Sequence, residues 1–161
     1  MSQNPYEKYV AGDDAVAALA DTARQIATIT GEWPADVFER SYAPGKWSAR
    51  QILVHLAQME MVFATRLRFA LAHDDYVVQP FDQDSWMAVE ERGDGKSALD
   101  AYLALRRMSL TICRDLTADQ RARTVRHPEF GTIDVEWILV QVAGHERHHL
   151  GQLREVANER R

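Results

Sequence analysis

A single cysteine, Cys113, in 161 residues rules out a disulfide within the chain. Proline and glycine are also sparse, five and eight, so long segments are left uninterrupted for helix formation. No run approaches the roughly 18 apolar residues of a membrane span. The start, Met1 to Lys8, is polar and unlike a signal peptide. A cytoplasmic protein without membrane contact is expected. Basic residues number 19 against 24 acidic ones, a formal net charge of -5. That balance argues against nucleic acid or an anionic membrane as the main partner, because both attract basic patches. There is no internal repeat and no low-complexity tract.

The chain is 46% hydrophobic and 27% charged, which suits one domain over residues 1–161 with a substantial core. Asp13 or Asp14 can cap a first helix carrying Val16, Leu19, Ala23 and Ile26 at helical spacing, and Gly31 ends it. Residues 32–46, with Pro34, Pro44 and Gly45, read as a connection with a short helical turn near 35–40. Ser48 and Gln51 form a capping box for a second helix reaching about Ala72, with Trp47 placed to staple onto Ile52. A short helix around Trp86 follows Pro80-Phe81-Asp82, and Asp94-Gly95 breaks the chain. Ser97, with Asp100 three residues on, is expected to cap a third helix to about Leu116, and Thr117 with Gln120 one further turn. Residues 121–132 read as a loop or small hairpin, and Asp134 caps a fourth long helix. The pattern predicts an all-α, antiparallel four-helix bundle with a longer crossover between the second and third helices.

Six histidines are present, and most histidines bind nothing. His73 and His127 fall in segments that read as loops, where solvated or structural roles are the rule. His145 and His149 differ, because a spacing of four puts both rings on one helix face. They continue the apolar stripe Ile138, Val142, and His55 likewise lies on the stripe Ile52, Leu56, Met59, Phe63 of the second helix. Buried imidazoles need partners, and one shared metal ion would satisfy all three. His55, His145 and His149 are therefore the expected ligands of one divalent ion, with Zn or Ni foremost. His148 points about 100° away from His149, at the rim, where it can stand in as a base. Arg66 returns to the His55 face further along the helix and either anchors an anionic part of the substrate or ends the bundle, paired with Asp82. Gln152, one turn beyond His149, is placed to hydrogen-bond a ligand ring.

Three neutral ligands leave open positions on an ion, which is a catalytic rather than a structural pattern. Glu60 and Glu146 do not project with the histidines, so no carboxylate base is evident. A metal-held thiolate needs no such base. The expected function is transfer of a low-molecular-weight thiol to an electrophilic small molecule, with metal-dependent hydrolysis as the alternative and a non-catalytic, stress-associated metal-binding bundle as the second.

The segments Gly45-Lys46-Trp47-Ser48 leading to His55, Arg66-Leu67-Arg68-Phe69-Ala70-Leu71, Pro80-Phe81-Asp82 with Trp86, and His145-Glu146-Arg147-His148-His149-Leu150-Gly151-Gln152 resemble the DinB-like superfamily, especially its YfiT-like branch. The resemblance covers residues 15–158. It implies a four-helix bundle whose divalent metal is held at the positions of His55, His145 and His149. Members are described as candidate metal-dependent hydrolases, and related ones transfer bacillithiol, mycothiol or glutathione. Some are homodimers, which makes a homodimer an expectation for this chain.

Overall fold

Residues 3–158 are described by a computed structural model. The chain forms α1 (Glu7–Val10), α2 (Ala15–Thr30), α3 (Ala35–Phe38), α4 (Ala49–Ala72), α5 (Gln83–Val89), α6 (Gly95–Cys113), α7 (Ala118–Arg121), a hairpin of β1 (Thr124–His127) and β2 (Gly131–Asp134), and α8 (Val135–Asn158). The four long helices, α2, α4, α6 and α8, make a four-helix bundle.

Local chemistry sets most of the boundaries. Asp14 caps α2 by accepting from Ala17 N at 2.8 Å. The Ser48–Gln51 capping box opens α4, Thr117–Gln120 opens α7, and Asp134 accepts from Trp137 N at 2.7 Å to open α8. The third bundle helix starts earlier than expected. Asp94 is its cap, accepting from Ser97 N at 2.7 Å. Asp94-Gly95 thus begins a helix rather than breaking the chain, because the Asp side chain accepts one of the first-turn N–H groups that have no carbonyl partner within the helix. Gly95 suits that position, since a Cβ there would meet Phe38 and Arg50 of the neighbouring elements.

Core packing gives the helix directions. At one end Ala15 and Leu19 of α2, Phe63 and Leu67 of α4, Leu110 and Cys113 of α6, and Val135 and Ile138 of α8 share a cluster. At the other, Ala23 and Ile26, Ile52 and Leu53, Leu99 and Tyr102, and Leu150 and Leu153 share a second. The antiparallel order expected from the sequence therefore holds between α4 and α8 and between α2 and α6. Of the pairs that pack side by side, the other two, α4 with α6 and α2 with α8, run parallel. The physical reason is the crossover 73–94, which carries the chain back to the end where α4 began, so that Arg50 Nη1 donates to Gly93 O at 3.3 Å.

The hairpin pairs Val125 with Ile133 and also grips this crossover. Arg126 N donates to Tyr76 O, and Val78 N donates to Arg126 O, both at 2.9 Å. His127 closes β1 rather than lying in a loop and is buried, its Nδ1 accepting from Glu129 N at 3.2 Å. His73 ends α4 and stacks on Phe69.

The polar N-terminal lead holds more structure than its composition announces. It forms α1 and lies on α8, where Gly144 permits the approach. A Cβ on Gly144 would stand 2.2 Å from the Tyr6 carbonyl oxygen. The Tyr6 ring thereby rests edge-on against His145, 5.1 Å between centroids.

Candidate metal centre

His55 comes from the second turn of α4, and His145 and His149 from successive turns of α8. All three are buried, at 1%, 7% and 6% exposure. Their ligand-capable nitrogens all fall within 4.8 Å of one another. His145 Nε2 is 3.2 Å from His55 Nε2 and 3.1 Å from His149 Nε2. Nitrogens bound at about 2.0–2.1 Å to one ion lie about 2.9 Å apart at right angles and about 3.3 Å apart on a tetrahedron. The observed edges match that range.

Hydrogen bonding alone does not account for the cluster. A single proton on His145 Nε2 can serve one of its two neighbours, and Nδ1 of both His55 and His145 is buried without a partner. Protonation is no remedy. Burial, and then the proximity of His149, pushes the His55 pKa down to about 3. Burial holds His149 at about 4, and burial followed by the neighbouring imidazoles holds His145 well below its ordinary value. Three neutral rings with converging lone pairs suit a cation.

Gln152 fixes one of these lone pairs. Its side-chain nitrogen lies 3.1 Å from Tyr42 OH and 3.2 Å from His148 Nε2. Its oxygen is thereby turned to His149 Nδ1 at 2.7 Å. An acceptor there holds the proton on Nδ1 and leaves Nε2 free for an ion. Trp47 packs beside the centre, 5.0 Å from the His55 ring and stacked on His149 at 6.3 Å, as well as against the cluster that contains Ile52. A polar cavity of about 320 Å³ opens over His145 and His149, and Tyr6, Tyr42, Lys46, Gln83 and His148 line it.

The carboxylates are engaged elsewhere. Glu60 meets Arg106 at 2.5 Å and accepts from Ser109 at 2.7 Å. Glu146 pairs with the same guanidinium and accepts from Tyr102 OH at 3.1 Å. The group ties α4, α6 and α8 together behind the histidines. Burial pushes the Glu146 carboxyl up to about 7, against the pull of Arg106. Arg66 lies apart from the three histidines. It donates to Gln79 O at 2.8 Å. The pairing of Arg66 with Asp82 is not made, because Asp82 caps α5 through Asp84 N and Ser85 N, both at 3.1 Å.

Tyr6, Tyr42 and Gln83 were not foreseen as site residues. Gly144 was the available signal for Tyr6, since a glycine inside a helical stripe marks a close approach. For Tyr42 and Gln83, only the folded connections bring them near.

The sequence matches the DinB superfamily over residues 14–153. The chain belongs to the DinB superfamily. Among its DinB relatives, a protein of Oceanobacillus iheyensis named as a candidate metal-dependent hydrolase is 30% identical over 116 residues, 71% of this chain and 67% of that protein. YfiT of Bacillus subtilis, named likewise, is 26% identical over 119 residues, 72% of this chain and 67% of its own. The solved YfiT structure superposes with a TM-score of 0.81 at 21% identity, covering 99% of this chain and 90% of that one, and its bundle topology is described as unusual. A mycothiol-dependent maleylpyruvate isomerase shares the fold at a TM-score of 0.70 and 13% identity, over 88% of this chain and 60% of that one.

Proposed function

We propose that this DinB protein is a metal-dependent enzyme that transfers a low-molecular-weight thiol to an electrophilic small molecule. His55, His145 and His149 are its ligands to one divalent ion, Zn or Ni. The observation that carries this reading is the convergence of three neutral imidazoles with, among the described residues, no carboxylate in the cluster, Glu60 and Glu146 both being held by Arg106. When bound, such an ion supplies positive charge that lowers the pKa of a coordinated thiol or water.

The remaining work falls to side chains of the chain. Gln152 keeps His149 in the tautomer whose Nε2 faces inward. Trp47 and Tyr6 pack on the ligand rings and limit water on those sides. Lys46, at the edge of the polar cavity, offers a cation to an anionic thiol carrier. His148, whose Nε2 faces the Gln152 amide, is placed at the mouth to exchange a proton.

Hydrolysis is the second reading, supported by the names given to the relatives, with His148 in place of a carboxylate base. Metal-loaded protein assayed with monochlorobimane and, in parallel, bacillithiol, mycothiol, glutathione and cysteine should give chelator-sensitive conjugation that is lost in His149→Ala. Chelator-sensitive cleavage of ester, amide or phosphoester substrates without any thiol would replace thiol transfer by hydrolysis. Tight metal binding with neither activity would favour the non-catalytic bundle. The homodimer implied by the family and a cytoplasmic location complete the proposal. No helix among the described residues is long and apolar enough to cross a membrane.

A further inference from the structure

Next to the histidine centre lies a second cavity, of about 530 Å³, that the chemistry above does not use. Met61, Phe69, Val77 and Trp86 line it, and these are four of the six large hydrophobic residues left exposed among those described. Apolar surface gathered in one concavity, rather than scattered singly, marks a binding site. The cavity is held open by fixed parts. The hairpin pins the segment 76–78 that forms one wall. The Asp82 cap positions α5, and the Trp86 ring meets Phe81 edge-on at 5.1 Å.

Arg66 is the one charged side chain in the lining. It is half-buried, and among the described residues its one side-chain hydrogen bond goes to the Gln79 carbonyl at 2.8 Å and it makes no ion pair. Tyr76 from the crossover and His127 and Glu129 from the hairpin interact with it electrostatically. Most of its planar donor fork therefore remains available, in a geometry that matches a carboxylate. Phe81 links the cavity to the metal centre, since its ring also stacks on His55 at 6.1 Å and 30°. Along α4, Arg66 lies about 16 Å from His55 at 1.5 Å per residue. A ligand held by its anionic end at Arg66 and extending to Phe81 would bring its other end to the wall that the cavity shares with His55.

We infer that this cavity binds an aromatic carboxylate, its flat body among Phe69, Phe81 and Trp86 and its carboxylate on Arg66. A ligand of this class that also carries an electrophilic carbon at its far end would serve as the substrate, a role that rests on the thiol-transfer reading; its binding does not.

Calorimetry with 2-naphthoate and its neutral amide, 2-naphthamide, tests the site directly. Wild-type protein should bind naphthoate at one saturable site and prefer it to the amide at least tenfold. Arg66→Met should abolish that preference while leaving amide binding and metal content unchanged, and Arg66→Lys should retain part of it. His149→Ala should still bind naphthoate, which separates this site from the metal reading. No saturable binding by the wild type, or equal affinity for the acid and the amide, overturns the inference. So does a dimer in sedimentation that Phe69→Lys dissociates and that excludes naphthoate, since the cavity would then be a subunit contact.

Discussion

Gly144 and Tyr6 are packed so closely that a methyl group on residue 144 has no room, the Tyr6 carbonyl oxygen lying 2.2 Å from its ideal position. The clash is with backbone, so Gly144→Ala must lift the N-terminal segment from α8. We expect a destabilisation of about 1–3 kcal/mol, the usual range for overpacking, with weaker metal retention because Tyr6 leaves the His145 ring. Chemical denaturation and elemental analysis check both. An alanine variant of wild-type stability and metal content would show that α1 is dispensable to the centre.

Metal content should depend on three histidines drawn from two helices. Purified protein should carry close to one divalent ion per chain, and His55→Ala, His145→Ala and His149→Ala should each reduce that sharply. His73→Ala and His127→Ala should not, since these residues serve the end of α4 and the hairpin turn. Full occupancy in His55→Ala would break the link between α4 and α8.

Acid should destabilise the metal-free protein through the same rings. Their folded pKa values are depressed, to about 3 for His55 and about 4 for His149, against about 6.5 in an unfolded chain. The unfolded state therefore binds more protons below pH 6.5. The stabilisation is complete above that pH and is lost as pH falls toward 4 and 3, at up to about 1.4 kcal/mol per pH unit for each ring. Chelator-treated protein followed by denaturation and by histidine NMR between pH 7 and 4.5 tests this. Histidine signals of the centre that titrate near 6.5 in the folded protein would contradict it.

Arg106 serves two buried carboxylates, so its removal should be severe. Arg106→Met leaves Glu60 and Glu146 buried without a cation, at a cost of about 3–5 kcal/mol. Adding Glu60→Gln and Glu146→Gln to that variant should recover much of the loss, because the buried charge is then gone. A triple variant no more stable than Arg106→Met would assign the effect to packing of the arginine stem instead.

The sequence alone was sufficient for features whose causes are local. The Ser48–Gln51 and Thr117–Gln120 capping boxes, the Asp134 cap and the spacing of His145 and His149 follow from hydrogen bonds and helical repeat within a few residues. Periodicity also placed His55 in the core, so the histidine cluster could be anticipated. The sequence did not reveal the parallel course of α4 and α6, because helix direction in a bundle depends on where the 73–94 crossover lands. Nor could periodicity show that Glu60 and Glu146, on different helices, meet one arginine on a third. The apolar cavity at Arg66 is likewise tertiary. Its walls come from α4, the crossover and α5, and only the hairpin's grip on Tyr76 and Val78 fixes them around the guanidinium.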